Sequence, residues 1–180
     1  MDQPVILDIF SLYEFAMYFT LFVLSVGTLN IYFVILFLAL FSKQIPERIL
    51  KLISSDKINK RPDNAFNCNL INQGGDVSSK SGFPSGHCTI SSLIATYLVN
   101  VFITAQNKSI KPKILVLMII SVLFAIIMPI VRYLKNCHTI IQVFGGFFIG
   151  IIWGICFILF EKYALNKWPM YVKHKHKIWI

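Results

Sequence analysis

Two of the chain's three arginines stand where they could bind a phosphate group. The chain holds 14 Lys but only the arginines Arg48, Arg61 and Arg132. Arg carries a planar, permanently charged guanidinium that binds phosphate through two parallel hydrogen bonds, a geometry that Lys cannot offer. Arg61 follows Lys57 in a polar loop, and Arg132 ends an apolar run just before a histidine. This placement indicates an anion site, although each arginine alone could simply anchor the chain at an interface.

The run Pro84-Ser85-Gly86-His87 is typical of a turn that leads into a helix. Ser85 is a good N-cap residue, and the small Gly86 lets backbone N–H groups approach an anion at the positive end of the helix. His87 stands in the first turn, where it could donate or accept a proton. The alternative is a capped helix whose histidine has no chemical role.

His138 and Gln142 are four residues apart at the start of the last apolar run, so they share one face of a helix. A Gln carbonyl can accept the imidazole N–H and fix its tautomer, which leaves the other ring nitrogen free as a nucleophile. The same face continues through Gly146, Gly150 and Gly154, a ridge that we expect to pack closely against another helix. The alternative for His138 is an ordinary histidine at a helix end.

The composition decides where these residues must be held. Of 180 residues, 56% are hydrophobic and 14% are charged, and the mean hydropathy is +0.68. A soluble domain of this size has too much surface to hide so many apolar side chains, so a soluble enzyme is excluded. So high an apolar content excludes a disordered chain, and 4 Cys are too few for a small scaffold stapled by disulfides. An integral membrane protein remains.

Apolar runs long enough to matter predict an all-α bundle of about five transmembrane helices in one domain, with the site at one membrane face. The first run splits into two helices near Gly27 and Asn30, and the second helix continues through an amphipathic segment at residues 45–53. One tilted helix is the alternative for that run. The domain covers residues 1–180, with a core at 45–161 and a basic tail at 162–180. The apolar runs are residues 15–42, 88–107, 114–131 and 139–160.

The distribution of Lys predicts the orientation of the chain. The loop at residues 105–113 and the tail together hold eight Lys, so we expect both on the cytoplasmic side. The loops at residues 56–84 and 132–137 then lie on the luminal or external face. The net charge of +9 fits this topology and anionic head groups, and we expect no nucleic-acid partner. An endoplasmic reticulum or equivalent endomembrane is the expected location.

Taken together, the segments resemble the signature of the type 2 phosphatidic acid phosphatase and haloperoxidase superfamily. That signature is Lys, six residues and Arg-Pro; then Pro-Ser-Gly-His; then Ser-Arg, five residues, His, three residues and Asp. Arg61-Pro62 matches the end of the first block, residues 84–87 match the second in full, and the third is matched in spacing. The resemblance covers about residues 45 to 160.

The chain departs from that signature at three positions. Ser54 occupies the place of the first Lys, where Lys51 or Lys57 could substitute, and Lys57 is nearer the loop. Val131 replaces the Ser before the arginine, and Gln142 replaces the Asp. The Gln is similar to the dolichyl diphosphatase branch of the superfamily, so it points to a substrate class.

The resemblance implies metal-independent phosphoryl transfer without a cofactor. The implied catalytic residues are His138 as nucleophile, His87 as proton donor to the leaving oxygen, and Gln142 as the residue that orients His138. The implied phosphate-binding residues are Arg61, Arg132, Lys57, Ser85 and Gly86. Such positioned positive charge is what phosphoryl transfer requires.

The resemblance therefore implies a phosphatase that hydrolyses a polyprenyl, dolichyl-type diphosphate through a phosphohistidine. The alternatives are a phosphatidate or other lipid phosphate phosphatase, and an inactive membrane scaffold. The partners expected are the bilayer and a lipid phosphate or diphosphate. Cys68 and Cys137 could pair or stay as two thiols, and we expect Cys88 and Cys156 to be buried and reduced.

Overall fold

The structure, a computed structural model, describes residues 12–28, 31–63, 65, 68, 81–104 and 111–167, and within these ranges the regular structure is helical. In chain order the helices are α1 (Tyr13–Thr28), α2 (Ile31–Ser42), α3 (Gln44–Ile53), α4 (Asp56–Asn59), α5 (Gly86–Thr104), α6 (Lys111–Leu134) and α7 (Ile140–Lys167). The loop at residues 105–110 and the part of the basic tail from residue 168 onward lie outside these ranges, whereas residues 162–167 form the last turns of α7. The predicted all-α class is confirmed.

Three helices are long and apolar enough to cross a bilayer: Gly86–Thr104, Pro112–Leu134 and Ile140–Ala164. They coincide with the last three apolar runs of the sequence, so the chain is an integral membrane protein. The helices α1 and α2 have 16 and 12 residues, fewer than the roughly 20 that span a hydrocarbon core. The bundle thus combines three full-length helices with two shorter ones.

The first apolar run forms two antiparallel helices, as predicted. The hydroxyl of Tyr18 donates to the Leu40 carbonyl over 2.9 Å. One turn further along α1, the rings of Phe22 and Phe37 lie 5.8 Å apart. The contacting residue number rises from 18 to 22 on α1 while it falls from 40 to 37 on α2, so the two helices are antiparallel.

The helical path continues from α2 into α3 across Lys43, again as predicted. Lys43 N donates to Ala39 O over 3.1 Å, and Glu47 N donates to Lys43 O over 3.2 Å, so the i to i−4 pattern is kept. Pro46 has no N–H and cannot donate to the carbonyl of Ser42, so the ladder is interrupted where α2 ends. On α3 the apolar residues point outward, with Leu52 85% exposed, whereas Glu47 points inward.

Close packing of α7 on α5 fixes the end of α5 that carries the sequence motif. A methyl group added at Gly146 would overlap the carbonyl oxygen of Ser85, and one at Gly150 would overlap that of Thr89. At Gly154 the added carbon would lie 3.3 Å from the carbonyl oxygen of Leu93, one turn further along α5. The predicted glycine ridge therefore brings the two backbones together. The apolar core beside this pair includes Leu36, Leu40, Ile90, Leu93, Tyr97 and Ile158.

Candidate active site

The first turn of α5 is anchored to the first turn of α7. Ser85 N donates to Gln142 O over 3.1 Å, so the N–H of Ser85 is not available to an anion. The Ser85 carbonyl accepts from Thr89 N over 3.0 Å and starts the helix. The side-chain oxygen of Ser85 is buried and, in the part of the chain that the structure describes, has no hydrogen-bond partner. The hydroxyl of Ser85 therefore does not form the N-cap hydrogen bond that the sequence favours, and it could bind an anion instead.

The turn after α6 delivers His138 to the same place. Asn136 adopts a left-handed conformation with φ 53°, which Asn tolerates better than most residues. Asn136 N donates to Tyr133 O over 2.9 Å, and Cys137 N donates to Arg132 O over 3.1 Å. This pair of bonds is the Schellman motif that ends many helices. It reverses the chain within a few residues, so that Arg132 and His138 lie on either side of one tight turn.

The long loop is tied to this turn by a disulfide. Cys68 and Cys137 are bonded, with their Cα atoms 5.4 Å apart. Arg132 is fully buried, and its Nη2 donates to the Cys68 carbonyl. Of the other two cysteines, Cys88 is buried as expected, whereas Cys156 is exposed, because it lies on the outer face of α7. The expectation that Cys156 is buried was wrong.

His138 is buried and held by its neighbour on the helix. It is 3% exposed, and its Nδ1 lies 3.2 Å from Gln142 Oε1. That oxygen also accepts from Thr139 N over 3.2 Å, so it acts as an acceptor and Nδ1 carries the proton. The lone pair of His138 is then on Nε2, as the spacing of the two residues led us to expect.

Burial and positive charge keep the His138 ring neutral. Burial is the largest influence, and it holds the pKa of His138 well below its usual range. The charges of Arg61, Arg132 and His87 lower that pKa further. Three residues from separate parts of the chain therefore lie close enough to His138 to act on its charge.

Gln142 also binds the segment that leads to Arg61. Its Nε2 donates to Ile58 O and to Lys60 O, each over 2.8 Å, with Asn59 O further away at 3.4 Å. The side chain is fully buried. The amide oxygen thus orients His138 while the amide nitrogen holds the loop. A single sequence shows the first contact through its spacing, but it gives no signal for the second.

Asn59 joins the same segment to its neighbours, which the sequence did not indicate. Its Nδ2 donates to Lys51 O over 2.8 Å, and its Oδ1 accepts from Phe83 N over 3.3 Å. Its own carbonyl accepts from Gly82 N over 2.6 Å. These bonds hold the end of α3, the short α4 and the turn before α5 in register.

Arg61 reaches a partly buried position next to this segment. Its Nε donates to Ser81 O over 3.4 Å, and its Nη1 is buried with no hydrogen-bond partner among the residues described. Burial lowers the pKa of Arg61 to about 10, so the group stays charged at neutral pH. In contrast, Lys57 is exposed on α4. Lys60 forms a surface ion pair with Asp63 at 2.7 Å.

A buried ion pair borders the start of α5. Lys43 Nζ lies 2.8 Å from Glu47 Oε1, and the two side chains are only 1% and 8% exposed. A methyl group added at Gly86 would lie 3.6 Å from Lys43 Nζ and 3.5 Å from Glu47 Oε2. The amphipathic pattern of residues 45–53 predicts a polar face on α3, but it does not predict that this face is buried beside α5.

The assembled groups could bind a tetrahedral oxyanion and attack it. They comprise a neutral imidazole with one ring nitrogen free of Gln142, two arginines, a buried hydroxyl and the first turn of a 19-residue helix. No cluster of three or more His, Cys, Asp or Glu that could hold a metal ion occurs within residues 12–167 where these are described.

Comparison with known proteins places the chain in a family. The family model described as the PAP2 superfamily matches residues 28–165, more than half of the chain. This range includes Arg61, residues 84–87 and the segment from Arg132 to Gln142. None of the curated proteins and none of the solved structures matches the chain. The match and the shared motifs lead to one conclusion: the chain belongs to the PAP2 superfamily.

Proposed function

We propose that the protein is a metal-independent lipid phosphatase that works through a phosphohistidine on His138. Members of the PAP2 superfamily are generally phosphatases, which supports a hydrolase acting on lipid phosphates. The observation that carries the proposal is the state of His138: it is buried, its Nδ1 is bound to Gln142, and its pKa is held low by burial and by the charges of Arg61, Arg132 and His87. A neutral imidazole in a cationic setting is suited to attack a phosphate anion.

The reaction has two steps. In the first, His138 Nε2 forms a bond to phosphorus as the bond to the leaving oxygen breaks, and His87 gives that oxygen a proton. In the second, water attacks phosphorus and the bond to Nε2 breaks, while His87 takes a proton from the water. The ring of His138 and the proton on His87 are then restored. Gln142 acts through His138 by holding the tautomer that leaves Nε2 free.

The phosphate oxygens are bound by groups from three segments. Arg61 and Arg132 supply guanidinium groups, and burial makes their interactions with an anion stronger than in water. Ser85 contributes its hydroxyl, and Gly86 contributes a backbone N–H at the start of α5. The signature has its lysine at Ser54, and of the two substitutes that the sequence offers, Lys51 and Lys57, Lys57 is nearer the loop but exposed.

A polyprenyl, dolichyl-type diphosphate is the proposed substrate, with the terminal phosphate transferred to His138. The support is Gln142, which stands where the superfamily signature has Asp and resembles the dolichyl diphosphatase branch. Phosphatidate and other lipid phosphates are the alternative, because the same groups would bind a terminal phosphate of any membrane lipid.

We place the site on the luminal or external face of an endomembrane such as the endoplasmic reticulum. The distribution of Lys supports this orientation. The disulfide between Cys68 and Cys137 supports it as well, because disulfides persist in oxidising compartments.

Purified protein in detergent with a chelator tests the proposal. We expect phosphate release from dolichyl diphosphate to exceed release from phosphatidate, and His138→Ala to abolish both. Ile141→Ala is the matched control, because Ile141 lies in the same turn of α7 with its side chain 60% exposed. Its activity should equal that of the wild type. Release from neither lipid by the wild type would favour the inactive scaffold instead.

A further inference from the structure

We propose that Lys43 binds the phosphate of the substrate, in place of the lysine that the superfamily signature has at Ser54. The inference rests on the proposed function, since it adds a residue to the same site. Lys43 lies 11 positions before Ser54, at the junction of α2 and α3. No sequence motif points to it.

The position of Lys43 is set by the fold. At the junction of α2 and α3 the side chains of Lys43 and Glu47 are buried, and the two charged groups pair at 2.8 Å. A carbon added at Gly86 would lie 3.6 Å from Lys43 Nζ and 3.5 Å from Glu47 Oε2, so both groups of the ion pair are direct neighbours of the first residue of α5. The N–H groups of that turn are the ones that would face a bound phosphate.

The chemistry of the side chain suits the role. A Lys ammonium has three N–H donors on a stem with four rotatable bonds. The ammonium of Lys43 can therefore bind an anion beside Gly86 and keep its bond to Glu47. The carboxylate of Glu47 holds the Lys43 ammonium in place before the substrate binds, so the ammonium does not have to move in from the solvent.

Stability alone does not account for this buried pair. Removing two charges from water is energetically costly, and exchanging such a pair for apolar residues is often neutral or stabilising. A charged pair that is nearly excluded from solvent, yet borders the anion-binding turn, is better explained by a ligand. The rival lysine on the short α4, Lys57, is exposed.

The test compares Lys43→Met with the double variant K43M/E47L, which removes both charges and leaves no unpaired carboxylate. Arg48→Met is the matched control, because Arg48 is an exposed cation on α3. The assay measures kcat and KM for phosphate release and the unfolding temperature with and without orthovanadate, a phosphate mimic. Loss of one hydrogen bond to a charged group predicts a fall in kcat/KM of about 10- to 150-fold.

We expect that fall in both Lys43 variants, and no change in Arg48→Met. The double variant should recover the unfolding temperature of the wild type without recovering its rate. Recovery of the rate in the double variant would show that Lys43 only balances Glu47, and would overturn the proposal. So would a full loss in Lys57→Met together with an unchanged rate in Lys43→Met.

The vanadate measurement separates this inference from the proposed function. If the wild type released no phosphate, the proposed function would fail, and vanadate binding would still report on Lys43. A rise in unfolding temperature with vanadate in the wild type, absent from the double variant, supports phosphate binding by Lys43. An equal rise in both proteins contradicts it.

Discussion

Replacing Gln142 by the Asp of the superfamily signature should impair this protein instead of improving it. The two donor bonds of Gln142 Nε2, to Ile58 O and Lys60 O at 2.8 Å, hold the segment that carries Arg61. A carboxylate has no donor for these carbonyl groups, and its charge would face them at close range. Asp is also one methylene shorter, so it cannot reach the loop and His138 together.

The size of the effect follows from the two lost bonds. A carbonyl left without its donor costs about 1–3 kcal/mol when buried. Both bonds to Gln142 are only partly buried, so we take the lower end, about 2–3 kcal/mol in total. If that energy is lost from the positioning of Arg61 in the transition state, kcat/KM falls about 30- to 150-fold.

Phosphate release by Gln142→Asp, Gln142→Glu and Gln142→Ala, measured beside the unfolding temperature in the same detergent, tests this reasoning. We expect the two acidic variants to be no more active than the Ala variant, because a carboxylate has no donor for the two carbonyl groups and its negative charge repels them. Both effects lower the activity. An Asp variant as active as the wild type would refute the role given to the amide nitrogen.

Three further outcomes are expected. Because burial lowers the pKa of His138, the acid limb of the pH profile of kcat/KM should have its midpoint below about 6.5, the ordinary histidine value. This midpoint should move to higher pH in Arg61→Gln, because the charge of Arg61 also lowers the pKa of His138. The same midpoint in both proteins would contradict an influence of Arg61 on His138. Gly150→Ala should lower the stability by about 1–3 kcal/mol in thermal unfolding through overpacking, whereas Gly27→Ala, which has open space around the added carbon, should not; equal effects would contradict the close approach of the helices. Breaking the disulfide by Cys68→Ser should reduce phosphate release, because the Cys68 carbonyl holds an arginine of the site; full activity under reducing and oxidising conditions alike would contradict that role.

The sequence predicts the parts of this protein that depend on short-range pattern. Uninterrupted apolar runs predict the long helices, and the four-residue spacing of His138 and Gln142 predicts their contact. Both features need only the geometry of one helix. The glycine ridge is predictable for the same reason, since Gly146 and Gly150 share a face.

What the sequence does not predict are the contacts that arise when distant segments meet. Lys43 and Glu47 would ordinarily be assigned to a solvated surface, because charged residues are rarely fully buried. Their burial depends on where the junction of α2 and α3 meets α5. The second contact of Gln142 likewise depends on the path of residues 58–60, which local pattern does not specify. For Cys156 the error was opposite: the sequence predicts burial, but the side chain is exposed, because an apolar residue of a membrane helix can face lipid.

The near contact of α5 and α7 has a consequence for how a lipid would enter. Where glycine hydrogens touch the carbonyls of the facing helix, the seam between these two helices is too narrow to admit a hydrocarbon chain. The hydrocarbon tail of the proposed lipid substrate would therefore have to reach the site between other helices of the bundle. The α2–α3 junction offers one such side, since Lys43 lies beside Gly86 and α3 turns its apolar side chains outward. On this view the close contact of α5 and α7 closes one side of the site, and a lipid tail would reach the site past α3.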